Sequence, residues 1–343
     1  IQYFDDSYTV RTDSDFVSAN LSGLDLMEYS LDSGEESGIS DPAYLAHVDA
    51  FSQWYRQQPG VTQVSALTDT MKRLNRSMHG DHRAHYAIPR DRELAAQYLL
   101  LYEMSLPFGL DLNSRINLDK SASRFTAVLN LPATTDQLAL ESRASQWLAE
   151  HPPRGAPAVG TGLTLMWAHI TERNIRSMLT SVTVALLLIS VVLIIAFRSV
   201  KIGLLSLLPN LLPAILGFGL WGLLVGRINL GVSVVAAMSL GIVVDDTVHF
   251  LSKYLRARRE MEMNACEAVC YAFSTVGLAM ITTSAALVAG FLVLTFSGFG
   301  MNSAMGLLTA IVVAIALVAD LLFLPPLLMA VDQGRPLKAE GAA

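Results

Sequence analysis

Residues 230–252 read LGVSVVAAMSLGIVVDDTVHFLS, an apolar run of membrane-spanning length that two adjacent aspartates interrupt. No Lys or Arg lies between Arg227 and Lys253 to neutralise Asp245 and Asp246. A charged side chain at the bilayer centre costs about 3 kcal/mol on insertion scales, so intramembrane carboxylates usually face a protein interior or a water-filled path. We therefore expect the function of the chain to centre on this pair.

The composition of the chain is that of a membrane protein. Hydrophobic residues make up 52% of the sequence, charged residues make up 16%, and the mean hydropathy is +0.43. Long apolar runs follow residue 174, whereas residues 1–170 have ordinary polar content. We predict a soluble domain at 1–172, a transmembrane domain at 173–333 and a tail at 334–343. The net charge of −6 argues against nucleic acid as a partner.

Five apolar runs are long enough, at about 20 residues, to cross the hydrocarbon core of a bilayer. They are residues 176–197, 202–225, 230–252, 270–296 and 303–331. The basic residues that follow the first, third and fifth runs are Arg198, Lys201, Lys253, Arg256, Arg258, Arg259, Arg335 and Lys338. Arg227 alone lies on the opposite side. The positive-inside rule therefore predicts a periplasmic first domain and a cytoplasmic C-terminus.

The start of the sequence predicts that a further segment precedes it. The chain begins Ile1-Gln2, with no Met and no signal peptide. A periplasmic domain placed before an odd number of spans needs an earlier helix to carry it across the membrane. We therefore expect the sequence to be a fragment.

The first domain alternates strand and helix patterns. Strands are predicted at 24–31, 61–67, 124–131 and 156–162, and helices at 42–59, 91–104 and 134–150. Asp41 and Thr134 are the predicted helix caps, and Pro42 suits a first helical position. Two β-α-β units on one sheet indicate an α+β sandwich of ferredoxin-like type.

Two further groups of side chains could suggest metal or redox chemistry. His79, His82 and His85 lie in a polar loop without Cys or a fixed helical spacing, which favours a solvated loop over a metal site. Cys266 and Cys270 are the only cysteines, and in a reducing compartment they are predicted to be packing residues. We predict no metal site and no cofactor.

Other polar residues within the apolar runs are few enough to weigh singly. His249 lies one turn after Asp245, and Asp320 lies deep in the fifth run, so both are candidates to support a proton relay. A hydroxyl cluster in the fourth run is a further candidate, and it comprises Thr282, Thr283 and Ser284. Against that role, Ser and Thr in membrane helices often bond their own backbone.

Small and helix-bending residues in the apolar runs suggest packing and hinge roles. Gly241 lies one turn before Asp245 and is predicted to let a neighbouring helix approach closely. Pro209 and Pro213 flank Asn210 in the second run and are predicted to weaken that helix, either as a hinge or as a static bend.

A proton cycle would give the aspartates a function. Burial and a neighbouring carboxylate both favour the neutral form of a carboxyl group, so protonation can alternate if water reaches the pair. A carboxyl that is neutral in one conformer and charged in another biases a bistable helix bundle. We predict that Asp245→Asn or Asp246→Asn abolishes such a function while leaving expression intact.

Several ordered motifs carry a family resemblance. They are GIVVDDTVHF at 241–250, LPNLLP at 208–213, AGF at 289–291 and DLLFLP at 320–325. Together they resemble the second half of an exporter of the RND superfamily. The branch most similar is the MMPL-like and hydrophobe/amphiphile efflux branch, which has a sterol-sensing-type membrane domain.

This resemblance implies a fold, a site and a set of partners. The fold would be a membrane α-helical bundle of five transmembrane helices, preceded by an α+β ferredoxin-like periplasmic porter domain. Asp245 and Asp246 match proton-relay positions, with H⁺ as the coupling ion, in a bacterial inner-membrane pump for lipids or other amphiphiles. The implied partners are the amphiphilic substrate, membrane lipids, the missing N-terminal half of the same transporter and further copies in a homo-oligomer.

The sequence also leaves other functions open. A protein-export accessory subunit of SecD or SecF type shares the helix arrangement, and a non-transporting sterol or lipid sensor would use the same membrane domain. An intramembrane aspartyl protease is disfavoured, because Asp245 and Asp246 lie on one helix whereas a catalytic dyad needs two opposed elements. We predict that the chain is not an enzyme.

Overall fold

The structure is a computed structural model that describes residues 3–107, 112–152, 155–226 and 230–332. The chain divides into two compact units, which we call the sheet unit, Thr9–Glu172, and the helical unit, Ile1–Tyr8 with Arg173–Ala343. The predicted tail at 334–343, with its two basic residues, and Arg227 lie outside the described residues.

The sheet unit combines three strands with packed helices. The strands are β1 (Asp25–Asp32), β2 (Val61–Ser65) and β3 (Ala122–Leu129), and the helices are α1 (Thr9–Asn20), α2 (Pro42–Arg56), α3 (Leu67–Met78), α4 (Arg92–Ser105) and α5 (Thr134–Glu150). Met27, Tyr29 and Leu31 of β1 are fully buried, as period-two alternation requires for one face of a sheet. The first three predicted strands are confirmed with small shifts at their ends, whereas α1 and α3 were not predicted.

The two predicted helix caps differ in outcome. Asp41 caps α2, because its Oδ1 accepts a hydrogen bond from the Ala43 N–H at 2.8 Å and Pro42 occupies the first helical position. Thr134 was predicted as a cap but is the first residue of α5, and Ala133 lies at the cap position without a side-chain hydrogen bond. That prediction was wrong by one residue.

The sheet has its third strand in the middle. β3 pairs antiparallel with β1 on one side and with β2 on the other. The predicted strand at 156–162 is not formed, since only Thr161 pairs there, exchanging hydrogen bonds of 3.0 and 2.7 Å with Glu28 of β1. Pro157 has no N–H to donate, and Gly160 adds no packing side chain, so both residues disfavour a continuous strand over this segment. The described sheet is therefore three-stranded.

An aromatic cluster fills the core of the sheet unit. The Phe51 and Phe125 ring centroids lie 4.8 Å apart, and Tyr29 meets Phe51 edge-on at 5.4 Å. The Tyr29 and Tyr55 hydroxyl groups lie 3.3 Å apart, and burial raises the pKa of Tyr29 to about 12. These phenols therefore remain neutral and serve to link α2 to β1.

The helical unit is a membrane helix bundle. Its helices are α6 (Leu163–Phe197, which begins in the sheet unit), α7 (Val200–Leu205), α8 (Leu207–Leu224), α9 (Leu230–Glu260), α10 (Ala265–Ala272), α11 (Leu278–Val293), α12 (Gly300–Val318) and α13 (Leu324–Val331). Five helical stretches in the described residues are long and apolar enough to cross a membrane: Leu163–Phe197, Val200–Leu224, Gly231–Glu260, Ala265–Phe296 and Gly300–Val331. Each corresponds to one predicted run.

Two of these spans contain a π-helical turn. Phe273–Gly277 joins α10 to α11, and Ala319–Phe323 joins α12 to α13. A π turn is rare in proteins and is frequent at functional sites, because its wider winding leaves backbone groups with altered hydrogen bonding. The second turn contains Asp320, one of the candidate residues.

Small residues bring the central helices together. A Cβ at Gly217 of α8 would lie 2.5 Å from Val312 Cγ2 of α12, and a Cβ at Gly306 of α12 would lie 2.6 Å from the Phe291 carbonyl oxygen of α11. Val232, Val235 and Val243 of α9 pack in one cluster with residues of α8 and α12. α12 is therefore the helix on which α8, α9 and α11 converge.

One end of the bundle is held by charged side chains. Lys201 donates to the Val331 carbonyl at 2.7 Å, and Arg259 donates to the Phe197 carbonyl at 2.6 Å. Arg258 donates to the Asp332 carboxylate at 2.8 Å. The ends of the first, third and fifth spans therefore lie together, and this is the end where the basic residues collect.

Candidate functional site

Three consecutive residues of α9 point in three directions. Successive positions on an α-helix are rotated by about 100°, so Asp245, Asp246 and Thr247 cannot share one environment. The Asp245 side chain is 73% exposed, Asp246 is partly buried and Thr247 is fully buried. The doubled aspartate is therefore not a single paired site.

Asp246 connects α9 to α11. The Ser284 hydroxyl donates to Asp246 Oδ2 at 2.8 Å, and Ser284 is itself almost fully buried. Asp246 forms no ion pair with Lys or Arg among the described residues. A neutral donor is thus the observed support of this carboxyl, and it favours the charged form far less than a cation would.

Asp320, in the π-helical turn that follows α12, connects the fifth span to Thr247 on the buried side of α9. The Thr247 hydroxyl donates to Asp320 Oδ1 at 2.9 Å, while Asp320 is 0% exposed. Its other oxygen, Oδ2, has no hydrogen-bond partner among the described residues. A buried polar atom without a partner is costly, so this carboxyl is a candidate for chemistry rather than for packing.

Asp245 and His249 form a separate, exposed pair. His249 Nε2 lies 3.5 Å from Asp245 Oδ1, as their one-turn spacing predicted, and the His249 side chain is 62% exposed. A Cβ at Gly241 would meet nothing within 4 Å. The predicted close approach of another helix at Gly241 is therefore wrong for the described residues, because Gly241 lies on this uncovered face.

The predicted hydroxyl cluster divides between backbone and site. Thr282 donates to the Leu278 and Ala279 carbonyls, and Thr283 donates to the Ala279 and Met280 carbonyls, all between 2.9 and 3.1 Å. Neither of these two threonines bonds a carboxylate among the described residues. Both instead bond the backbone of their own helix, which was the alternative to a relay role.

Two hydroxyl-bearing residues join the site instead. Ser284, the third member of the cluster, bonds Asp246, and Thr247, which follows the aspartates directly, bonds Asp320. Sequence reasoning gave Thr247 no role. The sequence pattern that could have identified Thr247 is its four-residue spacing from Val243. This spacing places Thr247 on the same face of α9 as Val243, which is buried.

The proline pair lies inside a continuous helix. α8 runs through Pro209 and Pro213 without a break, and both prolines are buried. Asn210 between them is 1% exposed, and neither atom of its amide group has a partner among the described residues. A hinge at this position stays a prediction.

The described residues offer no metal centre. They contain no group of three or more His, Cys, Asp or Glu side chains placed to hold an ion. In the polar loop of the sheet unit, the rings of His79 and His85 stack with centroids 4.0 Å apart. The arrangement on α9, α11 and α12 brings together carboxyl and hydroxyl groups, and a carboxyl group can bind and release a proton.

The sequence matches one relative and one family model over most of its length. The chain is 26% identical over 294 residues to a protein of Methanocaldococcus jannaschii that has a provisional description as a membrane protein, covering 85% of this chain and 72% of that relative. A model of the MMPL family matches residues 116–340, which include the end of the sheet unit and all five spans. This chain is accordingly a membrane protein of the MMPL family.

Proposed function

We propose that this chain is the C-terminal half of an RND-type exporter that uses the proton gradient to move lipids or other amphiphilic molecules across or out of the bacterial inner membrane. The observation that carries the proposal is the pair of hydrogen bonds from Ser284 to Asp246 and from Thr247 to Asp320. They involve two carboxyl groups that have no cationic partner among the described residues, and they join three membrane helices.

Protonation of these carboxyls would change how the helices are held together. An ionised carboxylate only accepts hydrogen bonds, whereas a neutral carboxyl also donates one. Loss or gain of a proton at Asp246 or Asp320 therefore changes the bonds that join α9 to α11 and α12. Proton movement can then shift the population of two bundle conformations, as a proton-driven pump requires.

The proposed orientation follows from the charged end of the bundle. Lys201 and Arg259 bond backbone carbonyls at the end where the first, third and fifth spans finish. We assign this end to the cytoplasm by the positive-inside rule, with the sheet unit in the periplasm.

The sheet unit is proposed to be the porter domain that receives substrate. Its fold is proposed to be ferredoxin-like. In this proposal the pairing of Thr161 with Glu28 of β1 marks the position of the fourth strand. A cavity of about 330 Å³ opens on the sheet face that carries Leu26, Glu28 and Arg124. Apolar and charged groups side by side suit an amphiphile, which the chain would carry without chemical change, so we propose no enzymatic activity.

The exposed face of α9 is proposed to contact other parts of the transporter. Asp245 and His249 are polar and uncovered at membrane depth, where contact with lipid is unfavourable. An N-terminal half of the same transporter is proposed to cover them, and further copies would complete a homo-oligomer in the lipid bilayer.

Transport in vesicles tests the proposal. Full-length protein is reconstituted with a fluorescent lipid or amphiphile, and movement is followed with and without an imposed proton gradient. We expect gradient-dependent movement that an uncoupler and Asp246→Asn abolish. Glu260→Gln is the matched control, because it makes the same change in an α9 carboxylate that pairs only with Arg256 at the helix end. Undiminished export by the Asp245→Asn, Asp246→Asn and double variants would contradict the proposal.

A further inference from the structure

Three buried side chains of the helical unit carry polar atoms that find no partner among the described residues. They are Asn210 on α8, Ser239 on α9 and Asp320 at the end of α12, each no more than 1% exposed. In hydrocarbon every polar group needs a partner within the protein or from enclosed water. The three helices involved pack against one another.

Two contacts fix the level at which Asn210 lies relative to α12 and α13. Lys201, before α8, bonds the Val331 carbonyl at the end of α13, and Gly217 of α8 touches Val312 of α12. The second and fifth spans therefore run antiparallel. Counting from the Gly217 contact, two turns toward Lys201 reach Asn210, and two turns toward Val331 reach Asp320.

The same spacing places these residues on facing sides. Asn210 precedes Gly217 by seven positions, which is close to two whole turns, so both lie on the face of α8 that meets α12. Val312, Ala316 and Asp320 follow one another at four-residue intervals, and the first two pack against α8 and α9. The Asn210 amide and the Asp320 carboxyl thus share a level and an interface without a direct hydrogen bond.

Helix α9 adds a third polar position to this interface. Val235 and Val243 pack against α8 and α12, and Ser239 lies one turn from each on the same face. Thr247 is the next residue in this column, and it bonds Asp320. Ser239 therefore lies about 12 Å from Thr247 along α9, toward the helix start.

The unmet donors and acceptors of Asn210 and Asp320 indicate what kind of group could bond to both. Asn210 leaves both N–H donors of its amide nitrogen and its amide oxygen unmet, and Asp320 leaves one carboxylate oxygen unmet. A bare cation would serve the two oxygens and leave the amide N–H groups without an acceptor. Water accepts from the amide and donates to the carboxyl, so it serves both residues at once.

We propose that water enters between α8, α9 and α12 past Ser239 and bridges Asn210 to Asp320, which makes Asp320 a hydrated proton-binding site. This site lies on the buried side of α9, away from the exposed pair of Asp245 and His249. The inference deepens the proposed function and rests on it for the role of the proton, whereas the presence of water can be tested without transport.

Thiol accessibility tests the proposal directly. In a background with Cys266→Ser and Cys270→Ser, the substitutions Asn210→Cys and Ser239→Cys are each labelled in vesicles with a charged, water-soluble methanethiosulfonate. Matched controls are Val235→Cys and Val312→Cys, which alter fully buried apolar positions of α9 and α12. We expect labelling to completion at positions 210 and 239 while positions 235 and 312 stay unlabelled.

The outcomes separate this inference from the proposed function. Labelling at positions 210 and 239 that is no greater than at 235 and 312, in variants that remain monodisperse, would overturn the inference even if transport is intact. Slower labelling at position 239 in Na⁺ than in choline would also overturn the inference, since a sodium ion rather than water would then lie between α8, α9 and α12. Full labelling of a protein that transports nothing would instead support the water site and contradict the proposed function.

Discussion

The buried and exposed faces of α9 place neighbouring carboxyl groups in different surroundings. On the buried face, Asp246 accepts from Ser284, and Thr247 donates to the fully buried Asp320. On the exposed face, Asp245 pairs with His249, and a Cβ at Gly241 would meet nothing within 4 Å among the described residues. A proton on the buried face alters bonds between helices, whereas a proton on the exposed face alters a pair within one helix. The difference teaches that adjacent residues of one motif can have separate functions.

The largest expected effect comes from the buried face at Asp246. Asp246→Asn keeps the shape and the hydrogen bond from Ser284 but cannot release a proton. We expect gradient-driven export to fall by about 100-fold or more, as for loss of a positioned proton-transfer group, with normal amounts of protein in the membrane. Export rate and membrane abundance are measured together. An export rate within the error of the wild type would contradict the assignment of proton transfer to Asp246 on the buried face.

The second effect concerns the bond between Thr247 and Asp320. Thr247→Val removes the hydroxyl donor at nearly constant volume, which leaves both oxygens of Asp320 without a partner among the described residues. We expect a loss of about 1–3 kcal/mol in stability, the usual consequence of unpairing a buried polar group. Thermal unfolding in detergent measures it.

A control and a double variant sharpen this second prediction. Thr309→Val is the matched control, because Thr309 is equally buried but bonds only the Met305 carbonyl of its own helix. Asp320→Asn combined with Thr247→Val should lose less than the sum of the two single losses. Additive losses, or an equal loss in Thr309→Val, would show that the bond has no special importance.

A smaller effect is expected on the exposed face. Sequence reasoning predicts that Asp245→Asn abolishes export, but the pairing of Asp245 with a residue of its own helix lowers that expectation. We expect Asp245→Asn and His249→Gln each to slow export by about fivefold or less, since a side-chain pair one turn apart on a single helix contributes little. A loss of export in Asp245→Asn as large as that in Asp246→Asn would show that the two faces of α9 do not differ in function.

The smallest effect is expected from the two threonines that bond their own helix. Thr282→Val and Thr283→Val remove hydroxyls that contact only backbone carbonyls of α11. We expect export within about twofold of the wild type for both, because such bonds duplicate what the helix already provides. Ser284→Ala, two positions beyond Thr282, should in contrast slow export. Slower export in Thr282→Val or Thr283→Val than in Ser284→Ala would indicate that another hydroxyl of α11 supports the proton relay.

Local patterns predicted much of the fold. The alternation in β1, the Asp41 cap of α2 and the five apolar runs each depend on nearby residues, so the sequence alone determines them. The start of α6 at Leu163 was missed because residues before 176 are too polar to register as a membrane run. The strand at 156–162 failed because pairing depends on backbone N–H groups that periodicity does not report.

The candidate site was predictable only in part. Asp246 and Asp320 stand out from the sequence because charges are rare in apolar runs, and a single helix determines the spacing of Asp245 and His249. The choice of Ser284 over Thr282 and Thr283 depends on how α11 is rotated against α9. That rotation follows from packing among distant segments, which single-sequence patterns do not encode.

Proton uptake driven by substrate tests the central claim most directly. A gradient of the transported amphiphile is imposed across vesicles that contain full-length protein, and the internal pH is followed with an enclosed dye. The account predicts proton movement opposite to the amphiphile in the wild type and in Glu260→Gln, reduced movement in Asp245→Asn and none in Asp246→Asn. Substrate movement without proton movement in the wild type, or equal proton movement in the wild type and in Asp246→Asn, would contradict it.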